Sequence, residues 1–495
     1  MHDRTALRPW LALAVLLAGT FVVTLDFFIV AVAIPSIQAS FAASDAAMQW
    51  AIAGYGLTFA VGLITCGRLG DMLGRRRMFG VGISIFTAAS LACAGAPSID
   101  AFLAARVAQG VGGAVAVPQV MSMLNTLYTG ETRTKAFAWY ALTLGLAATS
   151  GQLLGGALIA GDWLSLGWRW CFLINLPIGL GALACLRNVV PAVTPHSVVR
   201  VDPVATAMLT TGLLGLLWPL IEGRQSDGSG SAWLSAGLAA ALLGGLILHQ
   251  RAQVRHGRGT LVPLELLHDR RFVRALAAAL VFYSTNASFY FVLALYTQMG
   301  RGLSPVASGL VFSALAFGFF GASLLAPKLM RRSGVVILRL GGIALALGHL
   351  LQWLLVTLAD APVALAPVVA LLLLQGAGIG FIMAPLAALT LSYAPPQHAG
   401  VASGVLGTTQ WIGNSLGVAL IGIPFFGALE RGGDPALVHQ QAFAAGLLYL
   451  MVVTVIFLGL VLRGLRERRP APAAGHAAKT AAARDVGISN GTPAS

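Results

Sequence analysis

One carboxylate, Asp26, stands deep inside an apolar stretch, Leu25-Asp26-Phe27-Phe28-Ile29-Val30, and one guanidinium, Arg106, stands inside another, Leu103-Ala104-Ala105-Arg106-Val107-Ala108. An ionisable group in such surroundings is costly to keep and is by default a candidate for handling charge or protons. Burial favours the neutral acid and a nearby guanidinium favours the carboxylate, so a change in their separation or hydration would load and release a proton. The competing role is a permanent ion pair that fixes helix packing. Asp26 precedes Pro35 by nine residues and Arg106 follows Asp100 by six. On helices running in opposite directions this sets them about 13 Å and about 9 Å below the same end, before side-chain reach. The two can meet at similar depth.

A sparse set of other residues interrupts the apolar runs: Tyr55, Gln109, Gln152, Asn175, Tyr283, Asn286, Phe289, Gln375, Gln410, Trp411 and Asn414. Aromatic surface with a few neutral polar groups is what a small-molecule cavity requires, although each residue singly is equally compatible with packing or an interhelical hydrogen bond. His349 reads first as a satisfied buried histidine and only second as part of a proton path. A further constellation is Gly67-Arg68-Leu69-Gly70-Asp71-Met72-Leu73-Gly74-Arg75-Arg76-Arg77, in which glycines permit a tight turn and one acid sits among cations. Gly67, Asp71, Gly74, Arg75 and Arg76 are the gate candidates, against the plain alternative of a solvated basic loop. There is no GxxxxGK[ST] loop, no HExxH and no catalytic-triad setting, and Cys66, Cys93, Cys171 and Cys185 show no repeated CxxC spacing. Enzyme chemistry, ATP drive, a metal centre and a cofactor are therefore not expected.

The elements that must position these residues follow from composition. The chain of 495 residues is 57% apolar and 10% charged, too few charges for a soluble surface. Apolar runs fall near 10–34, 49–66, 78–96, 101–126, 135–159, 169–187, 204–221, 232–250, 273–296, 306–327, 335–358, 363–390, 400–428 and 443–463. These are fourteen expected transmembrane helices, numbered here in chain order. They are rich in Leu, Ala and Gly without strand alternation, and in lipid only a helix satisfies such backbone. With both termini cytoplasmic, only Arg169, Arg224, Arg301 and Arg431 of the 31 Lys and Arg residues fall in outer segments, and Arg106 lies within a helix. Adding or removing one helix spoils this asymmetry. The net charge of +14 is thus topological, and no nucleic-acid partner is expected. The first run is long and holds Asp26, so it reads as a retained helix rather than a cleaved signal.

An internal repeat appears at an offset of 260 to 266 residues: Gln109-Gly110-Val111-Gly112 returns as Gln375-Gly376-Ala377-Gly378, Gly151-Gln152-Leu153-Leu154-Gly155 as Gly413-Asn414-Ser415-Leu416-Gly417, and Gly74-Arg75-Arg76 weakly in Arg331-Arg332-Ser333-Gly334. Three matches in one order imply two parallel six-helix halves, 1–190 and 273–465, with two inserted helices over 191–272 and a polar, disordered tail over 466–495. Such halves suggest alternating access around a central site.

The segment from Gly67 to Arg77 resembles the loop motif of the major facilitator superfamily, Gly-x-Leu-Ala-Asp-Arg-x-Gly-Arg-Arg, with Met72 in place of the usual Arg. The resemblance implies that Asp71 and Arg75 latch the two halves on the cytoplasmic side. Leu25 through Pro35, Gln49-Trp50 with Tyr55, Arg106 with Gln109-Gly110, Trp168 through Gly179, and Gln298 through Gly309 are similar to motifs of the fourteen-helix drug:proton antiporter family. Phe28 and Ala31 replace its common Thr and Asn, Gln152 stands where its helix 5 motif has Pro, and Gln410-Trp411 where helix 13 commonly has Arg-Gln. Together these segments cover nearly all the chain outside the tail.

The expectation is an all-α integral membrane protein of major facilitator fold, with 14 transmembrane helices as 6+2+6. It resides in a bacterial cytoplasmic membrane and exports small amphipathic molecules or drugs in exchange for protons through Asp26 and Arg106. It is expected to act as a monomer whose partners are its substrate, protons and the bilayer. The alternatives are a proton-coupled uptake symporter, kept open by the substituted helix 5 motif, and a transport-inactive membrane sensor.

Overall fold

A computed structural model describes residues 8–192, 202–223, 230–256, 260, 264–359, 363–395, 398–432 and 434–464. The tail expected over 466–495 lies outside them. The long helices are α1 Arg8–Phe41, α2 Asp45–Leu73, α3 Arg75–Ala94, α4 Ile99–Leu127, α5 Gly130–Gly161, α6 Gly167–Val189, α7 Pro203–Ile221, α8 Gly230–Arg255, α9 Arg270–Leu295, α10 Pro305–Ser333, α11 Val336–Thr357, α12 Leu365–Ser392, α13 Ala399–Leu429 and α14 Pro435–Gly464. Thirteen of these described helices are each long and apolar enough to cross a membrane, and the fourteenth, α5, is bent by 42° between Ala148 and Ser150. At that bend Ser150 Oγ donates back to the Leu146 carbonyl at 2.6 Å and Gly151 follows, a serine-glycine pairing that loosens the helical ladder. Helix starts carry side-chain caps: Ser44 on Ala47 N, Ser98 on Ala101 N, Asp202 on Ala205 N and Ser304 on Ala307 N, each satisfying an otherwise unpaired amide.

The sequence repeat is a packing repeat. In the first half α3 packs on α4, α2 on α4, α1 on α5 and α1 on α6; in the second, α11 on α12, α10 on α12, α9 on α13 and α9 on α14. The repeated glycines lie at these crossings. A Cβ on Gly110 would sit 2.5 Å from the Tyr55 carbonyl oxygen, and one on Gly376 2.0 Å from that of Leu315. Gly112 meets Phe86 N at 2.6 Å where Gly378 meets Gly341 O at 2.8 Å, and Gly151 approaches the Leu25 carbonyl as Gly413 approaches that of Leu280. Such contacts let backbones touch without lipid between them. The tight turns also correspond, since Gly74 (φ 95) joins α2 to α3 and Gly334 (φ 55) joins α10 to α11, a region open to glycine at low steric cost. Gly376→Leu is expected to lower stability by about 1–3 kcal/mol or more through overpacking, read as a lower Tm in detergent, whereas the same change at Gly459, where a Cβ meets nothing within 4 Å, leaves Tm unchanged.

Between the halves, α2 faces α13 and α5 faces α10, with α1 touching α9. Neutral side chains donate across this seam to backbone carbonyls: Gln49 Nε2 to Val418 O at 2.7 Å, Ser415 Oγ to Ala53 O at 3.1 Å, Thr408 Oγ1 to Ala60 O at 3.0 Å and Gln298 Nε2 to Val32 O at 2.9 Å. A Cβ on Gly156 would meet the Pro305 carbonyl at 2.4 Å. These contacts run from mid-helix to the end remote from the basic Gly74 and Gly334 turns. Of the two inserted helices, α7 lies against both α2 and α13, and α8 packs on α7. The outer face of α8 leaves Trp233, Leu234 and Leu248 exposed, as a lipid-facing helix does.

Candidate functional site

Asp26 and Arg106 meet. Both are fully buried, and Arg106 Nη1 donates to Asp26 Oδ2 in a close ion pair. The other carboxylate oxygen, Oδ1, accepts from Gln109 Nε2 at 2.9 Å and Asn175 Nδ2 at 2.8 Å. Arg106 Nη1 also donates to Gln109 Oε1 at 2.7 Å, and its Nε donates to the Ala51 carbonyl at 3.0 Å. Ser90 Oγ accepts from Gln109 at 2.7 Å and Asn175 at 3.2 Å while donating to Phe86 O. Cys93 Sγ lies 3.3 Å from Gln109 Oε1. The Tyr55 hydroxyl donates to Val23 O at 3.0 Å, and its ring centroid lies 4.4 Å from the Arg106 guanidinium carbon, a cation–π placement that shields the charge on one face.

This knot draws on α1, α2, α3, α4 and α6, and it lies inside the first half rather than in the seam. Helical spacing explains it: Arg106 and Gln109 are three apart on α4 and so share a face, while the glycines at 110 and 112 bring α2 and α3 close enough for Tyr55 and Ser90 to close the cluster. Two polar atoms in it, Arg106 Nη2 and Asn175 Oδ1, are buried with no hydrogen-bond partner among the described residues. The knot therefore keeps spare donor and acceptor capacity for a second arrangement.

The remaining expected site residues divide. Tyr55, Gln109 and Asn175, expected around a cavity, belong to the knot. Gln375, the repeat partner of Gln109, is buried in the second half, where its Nε2 donates to Gln352 Oε1 at 2.7 Å. Phe289 is buried edge-on to His349 at 5.4 Å, and His349 Nδ1 lies 3.4 Å from Thr454 Oγ1. Tyr283 packs on Gly413 and ring to ring with Phe282; Asn286 and Asn414 are almost wholly buried. Gln152 Nε2 donates to the Phe28 carbonyl at 2.7 Å, with its Oε1 buried and without a partner among the described residues.

Gln410 and Trp411 are half-buried on α13, and Trp411 reaches across the seam. Its ring lies 4.7 Å from Phe27, 4.3 Å from Phe59 and 5.9 Å from Tyr55. A second spoke runs from Phe28 to Tyr290 at 5.5 Å and on to Phe312 at 5.6 Å. The spokes join at Phe27 and Phe28, whose rings meet edge-on at 5.2 Å. Both residues directly follow Asp26 in α1, so the ionisable group and the ring contacts between the halves share one helical turn.

At the basic end, Arg75 pairs with Asp71 at 2.9 Å and donates to Ser122 O at 3.1 Å and Thr126 Oγ1 at 2.7 Å on α4, and Arg76 donates to Val190 O at 3.0 Å. All these partners lie in the first half. Gly67 has room, a Cβ there meeting only Pro118 at 3.8 Å. Residues not expected at the site from the sequence include Ser90 and Thr408, for which a small hydroxyl gives no signal, and Gln49, Cys93 and Ser415, which the sequence offered only as part of a family motif, as a buried thiol and as part of the repeat.

The family model described as Major Facilitator Superfamily matches residues 16–418. The chain is 36% identical over 425 residues to the "Probable actinorhodin transporter" of Streptomyces coelicolor, covering 85% of this chain and 73% of that protein. It is 34% identical to puromycin resistance protein pur8 of Streptomyces alboniger, with 90% of each covered. Among solved structures, a bacterial homolog to the human lysosomal transporter Spinster, in an inward-facing and occupied conformation, superposes with a TM-score of 0.65 at 16% identity, over 94% of this chain and 99% of that one. Thirteen candidate spans among the described residues, or fourteen with the bent α5, the packing repeat and these matches agree: the chain belongs to the major facilitator superfamily, among its fourteen-helix drug-resistance and export transporters.

Proposed function

We propose that the protein is a proton-driven exporter of small amphipathic molecules or drugs, working by alternating access in a bacterial cytoplasmic membrane with both termini and the basic end cytoplasmic. The observation that carries this reading is the sealed Asp26–Arg106 pair on the same turn of α1 as the rings that hold the halves together. The seam is closed at the end remote from the basic turns, and the Asp71–Arg75 pair bonds within its own half rather than across to the other. Both features suit a state open to the cytoplasm.

In the cycle we infer, Asp26 takes a proton from outside when the far end is open. The neutral acid no longer balances Arg106, which turns to its remaining acceptors, Gln109 Oε1 and Ala51 O, and α1 shifts with its two phenylalanines. In the cytoplasm-facing state the proton leaves, the ion pair re-forms, and substrate is taken up. Coupling requires that proton and substrate favour different states, since a ligand indifferent to the two shifts nothing. With a single acid in the middle of the described spans, one proton per cycle is the expected stoichiometry.

The test uses purified protein in liposomes with a pH-sensitive dye inside. Puromycin added under an imposed proton gradient is expected to elicit proton flux opposite in direction to drug movement. Flux in the same direction would establish a symporter, and drug binding without flux in any gradient would establish a sensor.

A further inference from the structure

We infer that the two aromatic spokes meeting at Phe27 and Phe28 are the recognition surface for cargo, and that the cargo is a flat, multi-ring aromatic molecule needing no positive charge; this rests on the export reading above. Three observations carry it. Phe28, Tyr290 and Trp411 are only half-buried, while Phe27 and Tyr55 behind them are sealed. The half-buried rings bridge the halves, so a ligand held by them touches both moving bodies. Each ring already contacts another at 4.3–5.9 Å, so a flat polycycle sliding between them exchanges ring contacts for ring contacts, whereas a saturated molecule of equal size forfeits them.

Charge argues the second part. Among the described residues Asp26 is the only acid that lies mid-span, and both its oxygens are engaged by Arg106, Gln109 and Asn175. The only other buried carboxylate among the described residues, Asp202, is 7% exposed, caps α7 and pairs with His249. A cation at the spokes therefore meets no free counter-charge, and Arg106 stands behind Tyr55. What the surroundings do offer is neutral: beside Phe28, whose carbonyl accepts from Gln152 Nε2, the buried Oε1 of Gln152 has no partner among the described residues. A flat molecule with an N–H or hydroxyl on its edge fits this acceptor.

Three tricyclic probes separate shape from charge in equilibrium dialysis with the purified full chain: acridone, flat and neutral; 10-methylacridinium, flat and cationic; and 9-hydroxyperhydroanthracene, neutral and saturated. Acridone is expected to bind at least as tightly as 10-methylacridinium and about tenfold more tightly than the saturated alcohol. Trp411→Ala and, independently, Phe28→Leu are expected to weaken acridone about tenfold, and Trp411→Phe to retain affinity within about threefold. Tighter binding of the cation by tenfold would overturn the charge argument. Equal binding of the saturated alcohol, or unchanged acridone affinity in both Trp411→Ala and Phe28→Leu, would overturn the aromatic site. Acridone that binds as expected but is not moved by a proton gradient would instead overturn the export reading and leave the site standing.

Discussion

Asp26→Asn is expected to reduce substrate-dependent proton flux by at least about a hundredfold, the scale on which a positioned proton carrier matters, while leaving substrate affinity within about threefold because the side chain is fully buried. The amide is close in shape but cannot exchange a proton, and its NH2 group must face a donor on one side or the other. If its oxygen receives Gln109 and Asn175, its nitrogen confronts Arg106; if it is turned, the two amides lose their acceptor. The measurement is paired, flux in dye-loaded liposomes and binding by dialysis. Flux surviving in Asp26→Asn would remove this residue from coupling and reduce the knot to a packing device, whatever the substrate.

The second large effect concerns stability. A buried pair broken from one side leaves an uncompensated charge, which costs about 3–5 kcal/mol, whereas replacing both members by apolar residues of similar volume is often close to neutral. Arg106→Met alone is therefore expected to destabilise strongly, since Asp26 loses its counter-charge and must be held by two neutral amides or take up a proton. Asp26→Leu with Arg106→Met is expected to recover most of that loss, giving a coupling energy of several kcal/mol in a double-mutant cycle, and to transport nothing. Thermal unfolding in one detergent reads the first statement and the liposome assay the second. A double variant no more stable than Arg106→Met would mean that the pair is not what the surrounding helices are built around.

The fold was legible because lipid leaves so few options. Runs of apolar residues at bilayer length, separated by short polar segments, dictate the number of helices. The repeat was legible for a more local reason: Gly110 and Gly376, or Gly151 and Gly413, are demanded by backbone crossings that tolerate no side chain, so the same spacing recurs wherever the same crossing does. Asp26 and Arg106 were legible because their depth could be counted along each helix. The direction in which each polar side chain points was not. Gln109, Asn175 and Gln375 sit on helices that could as well face the seam, and which face turns inward depends on the rotation of neighbouring helices, set by contacts such as Gly112 on Phe86 that no single segment contains. The aromatic spokes escaped for the same reason, being assembled from α1, α2, α9, α10 and α13, distant in sequence.

The placement of α7 makes the two sides of the seam unequal. Along one side α2 meets α13, and along the other α5 meets α10 directly, with Gly156 against the Pro305 backbone and Gly309 against that of Gln152. Because α7 rests on both α2 and α13 with α8 behind it, the first side is two helices thicker, and a change in the spacing of α2 and α13 must be accommodated by α7, whereas α5 and α10 have no such third body laid over them among these contacts.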